Sequence, residues 1–154
     1  MGEGVSASGN VRIEPATMTE LSTITGLLDA LALPTDGVAD QFPRAFVVAK
    51  DAEGVLVGCA GLETYAGSGL LRSVAVRPSM QRSGLGRILV EERLESARRA
   101  GLEAVYLLTT TAADYFPRLG FALVDLSAVP AALAASREFV TICPASAKCF
   151  ARRL

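Results

Sequence analysis

The sequence predicts one mixed α/β domain, and three observations carry that prediction. First, three runs between Ala45 and Val76 are rich in branched and apolar residues and separated by turn residues, which reads as an antiparallel meander. Second, the chain then passes through a glycine-bearing loop into a helical pattern that ends near Arg99, and a further apolar strand follows at Ala104–Thr109. A strand–helix–strand crossover of this kind makes the two strands parallel neighbours. Third, 154 residues suit a single domain with a sizeable core.

Each element follows from local chemistry. Residues 1–10 are small and polar and read as a flexible leader, which leaves 11–154 for the domain. Val11 to Glu14 alternates as a short strand. Thr17 or Thr19 caps a helix with apolar positions Leu21, Ile24, Leu27, Leu28 and Leu31, and Pro34 stops it. Thr35 to Phe42 is a weak second helix. Ala45–Lys50 is a strand, Asp51–Gly54 turns, Val55–Leu62 returns, and Gly67-Ser68-Gly69 turns into the strand that starts at Leu70. Pro78 marks that strand's end, because proline offers no N–H to a ladder.

The helix after Gly84 carries a stripe of Leu89, Val90, Leu94, Ala97 and Ala100, with Arg87, Glu91, Glu95 and Arg98 opposite, and Gly101 ends it. Beyond the Ala104 strand come a short helix at Ala112–Arg118, a strand at Ala122–Val124, a short helix at Val129–Ser136 and a last strand at Phe139–Ile142.

Composition narrows the function. A net charge of −1 gives no steering toward nucleic acid or an anionic membrane. No apolar run approaches the roughly 20 residues of a membrane span, and the N-terminus lacks the charged and apolar regions of a signal peptide. With three cysteines and no export signal, the cytoplasm is the expected compartment. The chain has no histidine, so a Cys/His zinc site and a histidine base are both excluded, and no metal is expected. Cys59, Cys143 and Cys149 read as small buried hydrophobes.

The stretch Leu70–Arg99 carries the chemistry. Gly84 and Gly86 remove side chains where a ligand could approach the backbone, and the first turn of the following helix leaves N–H groups free for an anion such as a pyrophosphate. The spacing Gln81-x-x-Gly84-x-Gly86, preceded by Val74-Ala75-Val76-x-Pro78 and followed downstream by Leu119-Gly120-Phe121, resembles the acetyl-CoA motif of the GNAT superfamily of N-acetyltransferases. The resemblance runs from about Val11 to the C-terminus. It implies a GNAT fold: a mixed, mostly antiparallel sheet in which the Leu70 and Val105 strands splay apart, flanked by helices.

The same resemblance implies acetyl-CoA as co-substrate, held by backbone contacts from Val74, Ala75 and Val76. The pyrophosphate would then lie against N–H groups of Arg82, Ser83, Gly84, Leu85, Gly86 and Arg87, with Gln81 also a cofactor-binding residue. The N–H near Val74 would polarise the thioester carbonyl. An amine must lose its proton to attack, and two carboxylates are candidates for the base, Glu63 at a strand end and Asp114. The family's thiolate-protonating tyrosine stands four residues before the glycine of Gly-Phe, where this chain has Phe116. Its neighbour Tyr115 is the catalytic candidate if Pro117 redirects it; otherwise water serves, or the thiolate leaves directly.

A narrower resemblance lies in Leu107 to Asp125 with Pro130, which is similar to the acetyltransferase half of bacterial N-acetylglutamate synthases. Together with Leu71–Val76 and the ending Glu138-Phe139 through Cys143-Pro144-Ala145-Ser146-Ala147, it resembles the arsenic-resistance N-acetyltransferases. That resemblance implies a glutamate-like amino acid or organoarsenical acceptor. An anionic acceptor needs cations or polar hydrogen-bonding groups; the candidates are Arg72, Arg44 and Arg137, with Ser73, Thr109 and Ser146 beside them. A small-molecule amine is thus the expected partner, and the oligomeric state, a homodimer included, stays open. Two alternatives remain: a cationic amine or protein N-terminus drawn by Glu63, Asp36, Asp40 and Asp114, and a non-catalytic acetyl-CoA sensor.

Overall fold

The computed structural model describes residues 11–141 and 147–154. Seven strands form one sheet in the order β1-β2-β3-β4-β5-β7-β6. β1 (Arg12–Pro15), β2 (Phe46–Lys50), β3 (Leu56–Tyr65) and β4 (Ser68–Val76) pair antiparallel in sequence. β4 then pairs in parallel with β5 (Ala104–Thr109), as the crossover requires. The expected mixed, mostly antiparallel sheet is therefore present. The turn into β4 is tighter than predicted: Ala66 and Gly67 form it with φ of 49° and 89°, and Ser68 and Gly69 already belong to β4.

Alternation divides the sheet's faces. Phe46, Val48, Cys59 and Ala75 pack with Ile24 and Leu28 of α1 (Leu21–Ala30). Val47, Ala49, Val57, Ala60 and Val76 pack with Leu85 and Leu89 of α3 (Leu85–Arg99). Farther along, Val90, Leu94 and Ala97 of α3 meet Leu62, Leu71, Val105 and Leu107. Thr17 and Glu20 form a reciprocal capping box ahead of α1, and the short α2 (Val38–Gln41) follows. α1 ends at Ala30, four residues before Pro34, with Ala32 in the left-handed region at φ 59°.

The C-terminal third departs most from expectation. Phe139–Ile142 is no strand: α4 (Ala131–Ala134) is followed by α5 (Arg137–Thr141), and Ile142 lies outside the described residues. The Ser136 hydroxyl accepts the Phe139 N–H at 3.4 Å and its carbonyl accepts the Val140 N–H, so this serine nucleates a helix despite the branched residues after it. The last strand is instead β7 (Lys148–Arg153), inserted between β5 and β6 (Ala122–Val124), with Cys149 and Phe150 buried. Among the described residues no helix is long and apolar enough to cross a membrane. The leader 1–10 lies outside the described residues.

Candidate active site

β4 and β5 are in register only from Ser68–Leu70 to Ala104–Tyr106. Beyond that, both strands continue without pairing each other and a cleft opens between them. A bulge in β4 sharpens the separation: Ser73 and Val74 together oppose Ala60, and Ser73 holds φ at 58°. A non-glycine residue in that region is uncommon and costs energy, and such residues concentrate at functional sites. The buried Cys59 thiol donates to the Ser73 carbonyl at 3.3 Å, and burial pushes that thiol up to about 12.

The larger part of the cleft, about 720 Å³, runs from Val74, Ala75 and Val76 to the loop before α3. Its lining includes Gln81, Arg82, Gly84, Gly86 and Arg87, five of the seven residues of this loop expected to bind the cofactor. The other two turn inward. Leu85 is core, and the Ser83 hydroxyl accepts the Leu85 N–H at 3.3 Å while donating to the Met80 carbonyl. Gln81 is held by its side-chain amide, which donates to the Val76 carbonyl at 3.0 Å.

Arg82 and Gly84 take φ of 66° and 89°, both in the left-handed region. Among the described residues, the backbone N–H groups of Arg82, Gly84, Gly86 and Arg87 reach no protein acceptor. Arg82, Arg87 and Arg118 line this cleft, and among the described residues no carboxylate does. Free N–H groups at a helix N-terminus and three guanidiniums suit a polyanion.

A smaller cavity of about 190 Å³ shares the walls Val74, Thr111, Ala112 and Tyr115 with the cleft. The predicted helix at 112–118 is replaced by a turn and a short 3-10 segment, Phe116–Leu119, with Pro117 in its first turn. The Thr109 hydroxyl accepts the Thr111 and Ala112 N–H groups at 3.3 and 2.9 Å and fixes the turn's entry. Tyr115 therefore lines both cavities, while Phe116, packed edge-on against Phe121 at 5.7 Å, lines only the small one. Burial raises the Tyr115 phenol above its ordinary value, and the Arg118 and Arg87 charges only partly oppose this.

Of the predicted acceptor residues, Arg72, Ser73 and Thr109 line the small cavity. Arg72 is not the free cation expected there: its side chain is buried between two carboxylates, Nη1 lying 3.3 Å from Glu63 and Nε 3.3 Å from Glu138. Nε also approaches the Ser73 hydroxyl at 3.2 Å. Glu63 lines neither cavity; it is buried, accepting from the Tyr65 hydroxyl and from Arg72. It does not stand at a strand end as expected: β3 runs on to Tyr65, and the Tyr65 hydroxyl and Arg72 engage the carboxylate away from both cavities.

Arg44 lies apart, in a groove with Gln41, Thr64 and Arg93. Arg137 is exposed beside Asp40 at 3.6 Å and lines neither cavity, nor does Asp114. Ser146 and Cys143 lie outside the described residues; Cys149 is buried in β7. No cluster of three metal-ligating side chains occurs among the described residues.

Two residues escaped sequence reasoning. Glu138 lines the small cavity because α5 replaces the expected strand. Burial, with Glu63 adding to it and Arg72 opposing, pushes its carboxyl up to about 7. Arg118 stacks on Tyr115 at 5.8 Å. Ser136 followed by Glu138 was the available signal for the first, as a cap and a first-turn acid.

Residues 17–121 match the acetyltransferase (GNAT) family. The amino-acid acetyltransferase of Pseudomonas putida (strain GB-1) is 37% identical over 143 residues, covering 86% of this chain and 33% of that protein. The chain spans only 19% to 33% of the curated relatives it matches. N-acetylglutamate synthase from Neisseria gonorrhoeae, solved with coenzyme A and N-acetyl-glutamate, superposes with a TM-score of 0.80 at 24% identity over 94% of this chain and 35% of that one. A Mycobacterium tuberculosis protein solved in complex with CoA gives a TM-score of 0.78 at 26% identity, covering 92% and 98%.

Proposed function

This chain belongs to the acetyltransferase (GNAT) family, and from that premise we propose that it transfers the acetyl group of acetyl-CoA to the α-amine of a small amino acid in the cytoplasm. One observation carries the reading: the cleft between β4 and β5 joins a loop whose N–H groups reach no acceptor among the described residues to a largely apolar cavity whose wall carries Arg72, Tyr115 and Glu138. The loop from Arg82 to Arg87 holds the pyrophosphate, and β4 offers its unpaired edge at Val74 and Val76 to the pantetheine arm. The acetyl group then sits at the shared wall beside Tyr115. Positioning an amine next to a held thioester supplies much of the rate. A Val74 N–H polarises the carbonyl, and the Tyr115 phenol, kept protonated by its burial, is the donor to the departing thiolate.

The acceptor is a glutamate-type amino acid or an organoarsenical analogue of one. Support comes from the resemblance of Leu107–Asp125 and of the ending from Glu138 to Ala147, and from relatives named for amino-acid acetylation. Ser73 and Thr109, with Ser146, are the proposed contacts to its acid groups. A second reading has one specific observation in its favour: two carboxylates against one guanidinium leave excess negative charge at the small cavity, which suits a polyamine. Thiol release from acetyl-CoA with glutamate, phosphinothricin, arsinothricin, neutral amino acids and spermidine tests both. A glutamate-type acceptor should give the highest kcat/KM; spermidine as the best acceptor would overturn the amino-acid reading in favour of the second.

A further inference from the structure

We propose that Glu138, delivered by α5, is the group that accepts the proton from the acceptor's ammonium and so also fixes where the amine binds. The inference rests on the acetyl-transfer reading above. Two buried carboxylates flank Arg72, but their situations differ. Glu63 is enclosed, its oxygens engaged by the Tyr65 hydroxyl and Arg72 Nη1, and it lines neither the cleft nor the small cavity. Glu138 is 4% exposed yet forms part of the small cavity's wall, and its one ion-pair partner among the described residues is Arg72 Nε at 3.3 Å. The cavity it faces opens on Val74 and Tyr115, the walls shared with the cleft. An amine held at Glu138 therefore stands between the proton acceptor and the proposed thioester.

The charges around Glu138 set its strength as a base. Arg72 on β4 lowers its affinity for a proton, Glu63 on β3 raises it, and the Tyr65 phenol lies in the same group; Arg137 of its own helix turns outward to Asp40. Burial dominates and brings the Glu138 carboxyl to about 7, where it can take a proton and return it to water.

The step balances as follows. The substrate enters as R–NH3+, and Glu138 carboxylate takes one proton to become the carboxylic acid. The nitrogen lone pair forms the C–N bond as the thioester carbonyl electrons move to oxygen. Their return breaks the C–S bond, and the thiolate takes the Tyr115 phenol proton. The second nitrogen proton leaves through water and restores the phenol, and Glu138 releases its proton to solvent.

The test is the pH dependence of kcat/KM with glutamate, measured by thiol release for the parent, Glu138→Gln and Glu63→Gln. The parent should lose activity on acidification with a midpoint near 7. Glu138→Gln should lower kcat/KM by about 10²–10⁴-fold near neutrality and lose that midpoint, its rate rising instead with the free-amine fraction. Its acetyl-CoA affinity by calorimetry should equal the parent's. Glu63→Gln should keep an acid limb. Glu138→Gln with the parent's rate and limb, or a limb abolished only by Glu63→Gln, overturns the proposal. If Glu138→Gln does not fold, Glu138→Asp should keep the limb at a reduced rate, and an Asp variant with parental rate also overturns it. Failure of the wider reading looks different: a parent that acetylates no amine at any pH overturns acetyl transfer and this inference with it.

Discussion

The Tyr115 hydroxyl lies 3.0 Å from the point where a Cβ on Gly86 would stand. The glycine is therefore a close-approach residue that joins the α3 loop to the turn on the far side of the cleft. Gly86→Ala obliges the phenol to give by a few tenths of an ångström, and Gly86→Val by more. A displacement of about 1 Å near reacting atoms can cost about 10²-fold. Turnover should fall from Gly86 to Ala to Val, more steeply than stability measured by thermal unfolding. Equal turnover in all three would contradict the contact's importance.

Tyr115→Phe should keep acetyl-CoA affinity and lower turnover by about 10²–10⁴-fold if the phenol protonates the thiolate. Because burial raises the phenol above 10, the parent's rate should hold through mildly alkaline pH and fall only as the phenol ionises above that value. A Phe variant with parental turnover would remove Tyr115 from the chemistry.

Arg72 is the counter-ion of two buried carboxylates. Arg72→Met leaves both unpaired, and breaking a buried pair in this way costs about 3–5 kcal/mol. Urea unfolding at neutral pH should show that loss, with partial recovery in acid as Glu138 protonates. A loss below about 1 kcal/mol would mean the pairs contribute no more than exposed ones.

Glu138 also makes folding stability pH-dependent. Its carboxyl moves from 4.5 to about 7 on folding, so the native state binds more protons across that window. The stabilising contribution is complete below 4.5 and is lost as pH rises through about 7, on the order of 3 kcal/mol in all. Glu138→Gln should flatten this slope in urea titrations taken across the window. An unchanged slope would place the titration elsewhere.

Strands β2 to β5 and α3 were legible because alternation, turn residues and the glycine loop agree over Ala45–Thr109. The same stretch identified most of the residues that line the larger cleft. The acceptor side was not legible. Phe139-Val140-Thr141 has strand composition, yet Ser136 caps a helix there. Lys148 and Arg152-Arg153 hide a strand that is buried only at Cys149 and Phe150. Arg72 resembled a free cation because nothing local reveals that Glu138, 66 positions later, pairs with it across the fold. Pro117 did signal the altered turn that gives Tyr115, in place of Phe116, the cleft wall.

The most direct measurement of the central claim follows nitrogen itself: the protein, acetyl-CoA and 15N-labelled glutamate observed together by NMR, with released thiol counted in the same sample. Acetyl transfer in the β4–β5 cleft predicts loss of the ammonium signal and growth of an amide N–H signal in one-to-one proportion with thiol. Thiol release without the amide, or no change in either, would contradict it.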